Sequence, residues 1–326
     1  MVALDIVGLG LSTLDVLVRL DEFPSWERGA QLAGFGLDGG GPVGTAMVAA
    51  ARLGARVGYV GQAGSDRIAE LKLESMVSAG IDLSRLVRRP GPESAVILVS
   101  VHAETGERVF SALKDMRSHQ VQPEELDREY ILSAQYLHLD GSHPDAAYEA
   151  AGWMQSVGKT VVFDGGKTNG QVPEHIRRLI SRVDVLVGGQ GFVPALTGID
   201  DSARAGRAAL ELGPRIVVQT AGEQGSWTTT HDEEFASPAF AVDVVDTTGA
   251  GDVFHGAYIV GLLHGWSLRD VALFSAAVAA IKCSQLGGRR GIPDLKRTLA
   301  FLRERGIVLP HICAANPISS LESDSV

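Results

Sequence analysis

The sequence predicts an α/β protein with a mostly parallel central sheet flanked by helices and a second, small β-sheet. Three observations lead there. From Tyr136 onward, short apolar runs alternate regularly with helical patterns. Two segments outside that alternation, near 13–37 and 93–115, read as short strands. The chain has 326 residues, 45% hydrophobic and 21% charged, enough to bury one large core.

Leu4 to Leu9 is an apolar run with Gly8 and Gly10 at its end, as expected of a buried opening strand. Asp15–Leu20 and Ala30–Phe35 show partial alternation and read as strands. After the cluster Gly39-Gly40-Gly41, Pro42–Leu53 carries Ala46, Ala49, Ala50 and Leu53 at helical spacing. Val57–Gly61 reads as a strand and Ile68–Ala79 as a helix. Ala95–Val101 and Arg108–Ala112 flank the turn Glu104–Glu107 and suit an antiparallel pair. Strands follow at Tyr136–Leu139, Thr160–Asp164, Val183–Val187 and Ile216–Gln219, with helices such as Asp145–Val157 and Ala203–Leu212 between them. A late hairpin has arms Gly225–Thr230 and Glu234–Phe240, and two helices span about Gly251–His264 and Leu268–Gln285. The expected organisation is an α/β body of residues 1–12, 38–92 and 116–310, a discontinuous β lid of 13–37 and 93–115, and a flexible tail of 311–326.

The formal net charge of -10 argues against a nucleic-acid partner, which needs a basic face. The N-terminus lacks a signal-peptide pattern, and no apolar run is long enough to span a membrane. Two cysteines, Cys283 and Cys313, suggest no disulfide framework, so a cytoplasmic location is expected. Cys283 reads as a small core residue.

The strongest chemical signal is Val244–Ala257. Thr247 and Thr248 lead into Gly249-Ala250-Gly251, which opens an apolar helix. Such an N-terminus offers free N–H groups and the positive end of the helix dipole to a phosphate. Asp252, in the first turn, either caps the helix or takes a proton from a hydroxyl attacking phosphorus. Gly39-Gly40-Gly41 allows close approach of a ligand or makes a tight turn. Thr220–Gly225 is either a nucleotide-contacting turn or a plain hairpin loop. Gly8-Leu9-Gly10 begins like a dinucleotide fingerprint, but Thr13 fills the third glycine position and no helix pattern follows. There is no P-loop and no His/Cys metal-ligand spacing, and His255 reads as packed or exposed rather than catalytic.

The glycine-rich segment through Asp66 and Asp246-Thr-Thr-Gly-Ala-Gly-Asp252-Val-Phe together resemble the two signatures of the ribokinase (PfkB) carbohydrate kinases. The likeness runs from Ile6 to about Pro293. Within the family, Gly39–Pro42, Pro238–Phe240, Val242–Gly256, Lys282-Cys283, Gly287–Arg289 and Gly291–Asp294 look most like bacterial 6-deoxy-6-sulfofructose kinases. The resemblance implies a ribokinase-like fold and ATP-dependent phosphorylation of a primary hydroxyl on a ketose, related sugar or sugar acid, with Mg²⁺ travelling with ATP. It implies Asp252 as general base and Gly249, Ala250 and Gly251 as anion hole. It places Asp15, Gly39 and Gly40 at the sugar, and Thr220, Gly222 and Gly225 near the nucleotide. Asp246 and Thr248 match positions that hold a monovalent cation, K⁺, in some relatives, and pairing through the lid into a homodimer is expected.

The sequence departs from the family pattern in three respects. Gly44 stands where many members have Asn. Gly189 and Phe192 stand where many have an Asn-x-x-Glu motif linked to Mg²⁺. Ser142 stands where the sulfofructose kinases carry a sulfonate-binding Arg. The rival readings are a nucleoside kinase, with lid aromatics Phe23, Trp26, Phe35 and Phe110 around a base, and a regulatory protein that binds sugar or nucleotide without turnover.

Overall fold

The computed structural model describes residues 3–309 apart from 117 and 169; the expected tail, and Cys313 with it, lies outside the described residues. Its strands are β1 (Ile6–Leu9), β2 (Thr13–Leu20), β3 (Gly34–Gly40), β4 (Val57–Val60), β5 (Gln62–Ala63), β6 (Val87–Arg88), β7 (Val96–His102), β8 (Arg108–Ala112), β9 (Tyr136–Leu139), β10 (Thr160–Gly166), β11 (Val185–Gly188), β12 (Ile216–Thr220), β13 (Ser226–Thr230) and β14 (Glu234–Ser237). The helices are α1 (Pro42–Arg52), α2 (Arg67–Ser78), α3 (Arg128–Ser133), α4 (Pro144–Ser156), α5 (Glu174–Ile180), α6 (Phe192–Thr197), α7 (Ser202–Leu210), α8 (Ala250–Leu263), α9 (Leu268–Cys283) and α10 (Leu295–Arg303).

The main sheet has eight strands in the order β14-β13-β12-β11-β10-β9-β1-β4. Strands β4 to β12 in that order run parallel, and β13 and β14 add an antiparallel edge. A parallel sheet must bury both faces, and alternation along each strand splits the core in two. Val162 faces α1, α8 and α9, whereas Val161 and Phe163 face α3 to α7. Strand β9 does the same: Leu137 and Leu139 join the second layer, so His138, between them, points toward α8. Asp164, two residues beyond Val162, also points to the α8 side.

Helix α8 is buried almost all round. It can lie against α1 because position 256 is glycine: a Cβ there would come within 2.2 Å or so of Ala46 O. Helix α2 starts at Asp66, whose side chain accepts from Ala69 N at 3.0 Å. Helices α3, α5 and α6 are 6 or 7 residues long, too short for an apolar period to register in the sequence.

The second sheet has the order β3-β2-β7-β8, so segments far apart in sequence meet in one small sheet. The strand expected at 30–35 lies further along, at Gly34–Gly40. Antiparallel pairing with β2, from Arg19↔Gly34 to Thr13↔Gly40, sets its register and overrides the weak β-propensity of its four glycines. Gly39 and Gly40 therefore end a strand of the small sheet instead of following it. Near the second crossing point Glu93 is pinned: it pairs with Lys72 at 2.5 Å, both side chains buried, and accepts from Gly64 N and Ala95 N.

Candidate active site

At the C-terminal ends of the parallel strands, the usual ligand position in such sheets, lies a cavity of about 700 Å³. Residues from β10 and β12, the segment after β11, the start of α8, the glycine-rich segment and the small sheet all line it.

Its floor is the start of α8. Gly249 caps the helix with φ 75°, a left-handed conformation that glycine adopts without strain. No side chain caps this end. Among the described residues the N–H groups of Gly249, Gly251 and Asp252 find no acceptor, so three donors and the helix dipole are left for an anion. A Cβ at Gly251 would meet open space; glycine there keeps the cavity clear.

Asp252 sits in the first turn of α8 and lines the same cavity. Burial pushes its carboxyl up to about 7, with Asp164 and Asp15 pushing the same way and His255 and Arg289 opposing. A carboxylate poised there is ionised enough at neutral pH to accept a proton. Asp15, from β2, also lines the cavity and is buried; Thr13 Oγ1 donates to it at 2.7 Å. Burial raises it to about 6, against that hydrogen bond and the charge of Arg289. Position 40 must be glycine because Asp15's carboxylate fills the space of a Cβ there.

His255 is packed, as one arm of its reading had it, and it also borders the cavity. It lies three residues after Asp252, on the same helix face, and lines the cavity. Its Nε2 lies 3.3 Å from Asp164 Oδ1, with both side chains buried. Burial opposes its charge, but Asp164 and Asp252 hold it above the ordinary histidine range. Burial likewise opposes ionisation of Asp164, yet His255 and His138 hold that carboxyl low. His138 packs behind, its ring centroid 5.5 Å from that of His255. Burial, followed by the His255 charge, pushes it down to about 3, so it is neutral. The site thus holds the Asp164–His255 pair beside Asp252.

Other sequence-derived candidates divide. Gly40, Thr220, Gly222, Thr248, Gly249, Ala250 and Gly251 line the cavity. Gly39 does not; the Arg289 guanidinium fills the space beside it. The same guanidinium, fully buried, blocks any side chain at Gly44 and bonds to Ser12 and Ser75 at 3.0 Å each. Arginine therefore takes up the room that an Asn at position 44 would use. Gly225 lines a second, mainly apolar cavity of about 500 Å³, shared with Thr220, Phe240, Val244, Phe254 and Ala280. Ala250 and Gly251 border both cavities.

Asp246 lies beneath the cavity, fully buried. Its Oδ1 accepts from Thr248 N and Oγ1 at 2.8 and 2.7 Å, and its Oδ2 from Gly287 N at 2.9 Å. The buried Lys282 ammonium donates to its backbone oxygen at 2.9 Å. This donor set does not fit a monovalent cation, since the Lys282 Nζ already occupies the carbonyl. Nor do the Mg²⁺-linked positions supply oxygen: Gly189 packs on Gly166, and the buried Phe192 ring packs on Gly165. Ser142 is not among the cavity residues; its N–H donates to Asp140 at 2.8 Å. Arg108, Lys167, Gln190 and Glu223 line the cavity with no sequence signal to mark them as one group. Arg108 reaches from β8 to within 3.3 Å of Thr248 Oγ1.

A helix start with free N–H groups, a carboxylate in its first turn and a second, small sheet border one cavity, and residues 5–295 match the model of the pfkB family carbohydrate kinases. The chain belongs to that family and is an ATP-dependent carbohydrate kinase. It is 28% identical over 300 residues to the ATP-dependent ribose-1-phosphate kinase of Halopiger xanaduensis, covering 92% of this chain and 98% of that one. It is 27% identical to the 2-dehydro-3-deoxygluconokinase of Bacillus subtilis, covering 77% and 82%. Arabidopsis thaliana ribokinase complexed with ribose and ATP superposes with a TM-score of 0.79 at 23% identity, covering 92% and 99%; the ribokinase-like fold is the same. Among the described residues no helix is long and apolar enough to cross a membrane.

Proposed function

We propose that the chain phosphorylates a primary hydroxyl of a sugar or sugar acid held between Asp15 and Asp252. The observation that carries this reading is one cavity bordered by Asp15, Asp252 and the unpaired N–H groups of α8. Asp15 accepts hydrogen bonds from ring or chain hydroxyls. Asp252 accepts the proton of the attacking hydroxyl, while the N–H groups of Gly249 and Gly251 bind the equatorial oxygens of the transferring phosphoryl group. Thr220, Gly222 and Gly225 border the nucleotide. Mg²⁺ arrives with ATP and offsets triphosphate charge; no protein ligand for it is assigned.

The small sheet acts as a lid in this reading. Its inner face supplies Asp15, Ile97, Arg108 and Phe110 to the cavity, and closure would exclude water from the phosphoryl group. Its outer face presents Val16, Val18, Phe35, Leu98 and Val109, with Phe35 62% and Val109 49% exposed. An apolar face of this kind supports pairing of two copies through their lids. Analytical ultracentrifugation of the wild type and Phe35→Lys tests it: a dimer that the variant dissociates agrees, and a wild-type monomer refutes.

Of four lid aromatics that could hold a nucleobase, only Phe110 borders the cavity; Trp26 is fully exposed. This favours a polyol over a nucleoside. The intact anion hole and poised Asp252 favour turnover over a purely regulatory role. With no cation at Ser142, sulfofructose should be a poor substrate. The test is kcat/KM for fructose, 2-keto-3-deoxygluconate, ribose, ribose 1-phosphate, adenosine and sulfofructose. A clear preference for adenosine or sulfofructose overturns this assignment.

A further inference from the structure

The family resemblance points to a monovalent-cation site at Asp246 and Thr248, yet the donors around Asp246 are already engaged. Lys282, in the last turn of α9, is fully buried and directs its ammonium at the Asp246 carbonyl, 2.9 Å away. That segment is tied to α9 a second time, since Val245 N and Asp246 N both donate to Cys283 O at 2.9 and 3.1 Å. Two residues further on, Thr248 enters the cavity, and the free N–H groups of Gly249 and Gly251 follow.

We infer that Lys282 is a positioning residue that takes the place of a mobile monovalent cation beneath the anion hole, so that turnover is independent of K⁺. An alkylammonium and K⁺ both seek carbonyl oxygen. Two such cations against one buried carbonyl would repel strongly at the low effective dielectric of the interior. Burial pushes the ammonium's pKa down, and Arg108 adds to this, while Asp246, Cys283 and Asp38 oppose it. A buried ammonium held by a backbone carbonyl is a weak source of stability, since desolvation offsets most of that attraction. Its retention here is explained by the fixed positive charge it supplies behind donors that must bind a phosphoryl group. The inference rests on membership of the kinase family and not on which sugar is accepted.

The experiment compares wild type, Lys282→Met and Lys282→Ala in KCl, NaCl and choline chloride at equal ionic strength. Two readouts are taken: ATP-dependent turnover with the best sugar of the panel, and thermal midpoint without sugar. Wild-type turnover and midpoint should be the same in all three salts. Lys282→Met should lose roughly tenfold in kcat with a smaller change in sugar KM. Lys282→Ala, which opens space at the carbonyl, should recover turnover and midpoint in KCl over choline chloride. Wild-type turnover or midpoint that rises with K⁺ overturns the inference, and needs no variant to fold. Unchanged kcat in Lys282→Met overturns it as well. The midpoint arm reports on cation binding even if no sugar in the panel is phosphorylated, so failure of the substrate assignment is told apart from failure here.

Discussion

Replacing Asp252 by Asn should abolish turnover and, above neutral pH, make the protein more stable. The carboxyl is raised from 3.8 to about 7, chiefly by burial and then by Asp164 and Asp15. At about 1.4 kcal/mol per pH unit, holding it ionised at pH 8 costs the fold about 4 kcal/mol at most. Water entering through the cavity, and relaxation around the charge, halve that to ~2 kcal/mol. Against this stands the attraction of a first-turn carboxylate for the helix dipole, about 0.3–1 kcal/mol. The net gain for Asn is about 1–2 kcal/mol, or a rise in Tm of about 2–4 °C. The sign depends on pH. With the folded value above the unfolded one, the folded state binds the extra proton, so the wild type loses stability as pH rises from about 4 to 7. The advantage of Asn should therefore be full at pH 8 and vanish near pH 4. Turnover should fall by roughly 10²–10⁴-fold with sugar and ATP still binding. Differential scanning fluorimetry at both pH values, with a coupled kinase assay, makes the comparison. A Tm that drops at pH 8, or near-normal turnover in the folded variant, would refute the reasoning.

Wild-type kcat should decline about tenfold per pH unit below about 7, where Asp252 takes up a proton. Asp164→Asn removes a like charge and should move that limb to lower pH. His255→Asn removes the opposing positive charge and should move it to higher pH, each by roughly one pH unit; shifts in the same direction would contradict the Asp164/His255 assignment. Gly251→Val should fold, because a side chain there meets open space, yet lose phosphoryl transfer by blocking the anion hole, and unchanged kinetics would remove the loop from the mechanism. Hydrogen exchange should slow in both 13–40 and 96–112 when sugar and a non-hydrolysable ATP analogue bind together; slowing in neither contradicts closure of the small sheet.

Much of this protein is written locally in its sequence. The alternation of apolar runs after Tyr136 matches β9 to β12 within a few residues, because periods of 2 and 3.6 are properties of the chain itself. The start of α8 and Asp252 within it are legible for the same reason: Gly249, Ala250, Gly251 and Asp252 are consecutive, and a helix start needs no distant partner to expose its N–H groups. The register of β3 was not legible, since its glycines carry no strand preference and only pairing with β2 settles their place. Nor was the cluster around the base. His138 and Asp164 meet His255 only because β9 and β10 lie side by side, with His138 opposite Val162, and both send the intervening side chain toward α8. Arg289 under Gly44, and Lys282 against Asp246, likewise join residues 245 and 36 positions apart. No local pattern in the sequence marks either side chain as buried. Burial fixes each of them in place beside the site, and burial is decided by the packing of helices and sheets, to which local sequence pattern is blind.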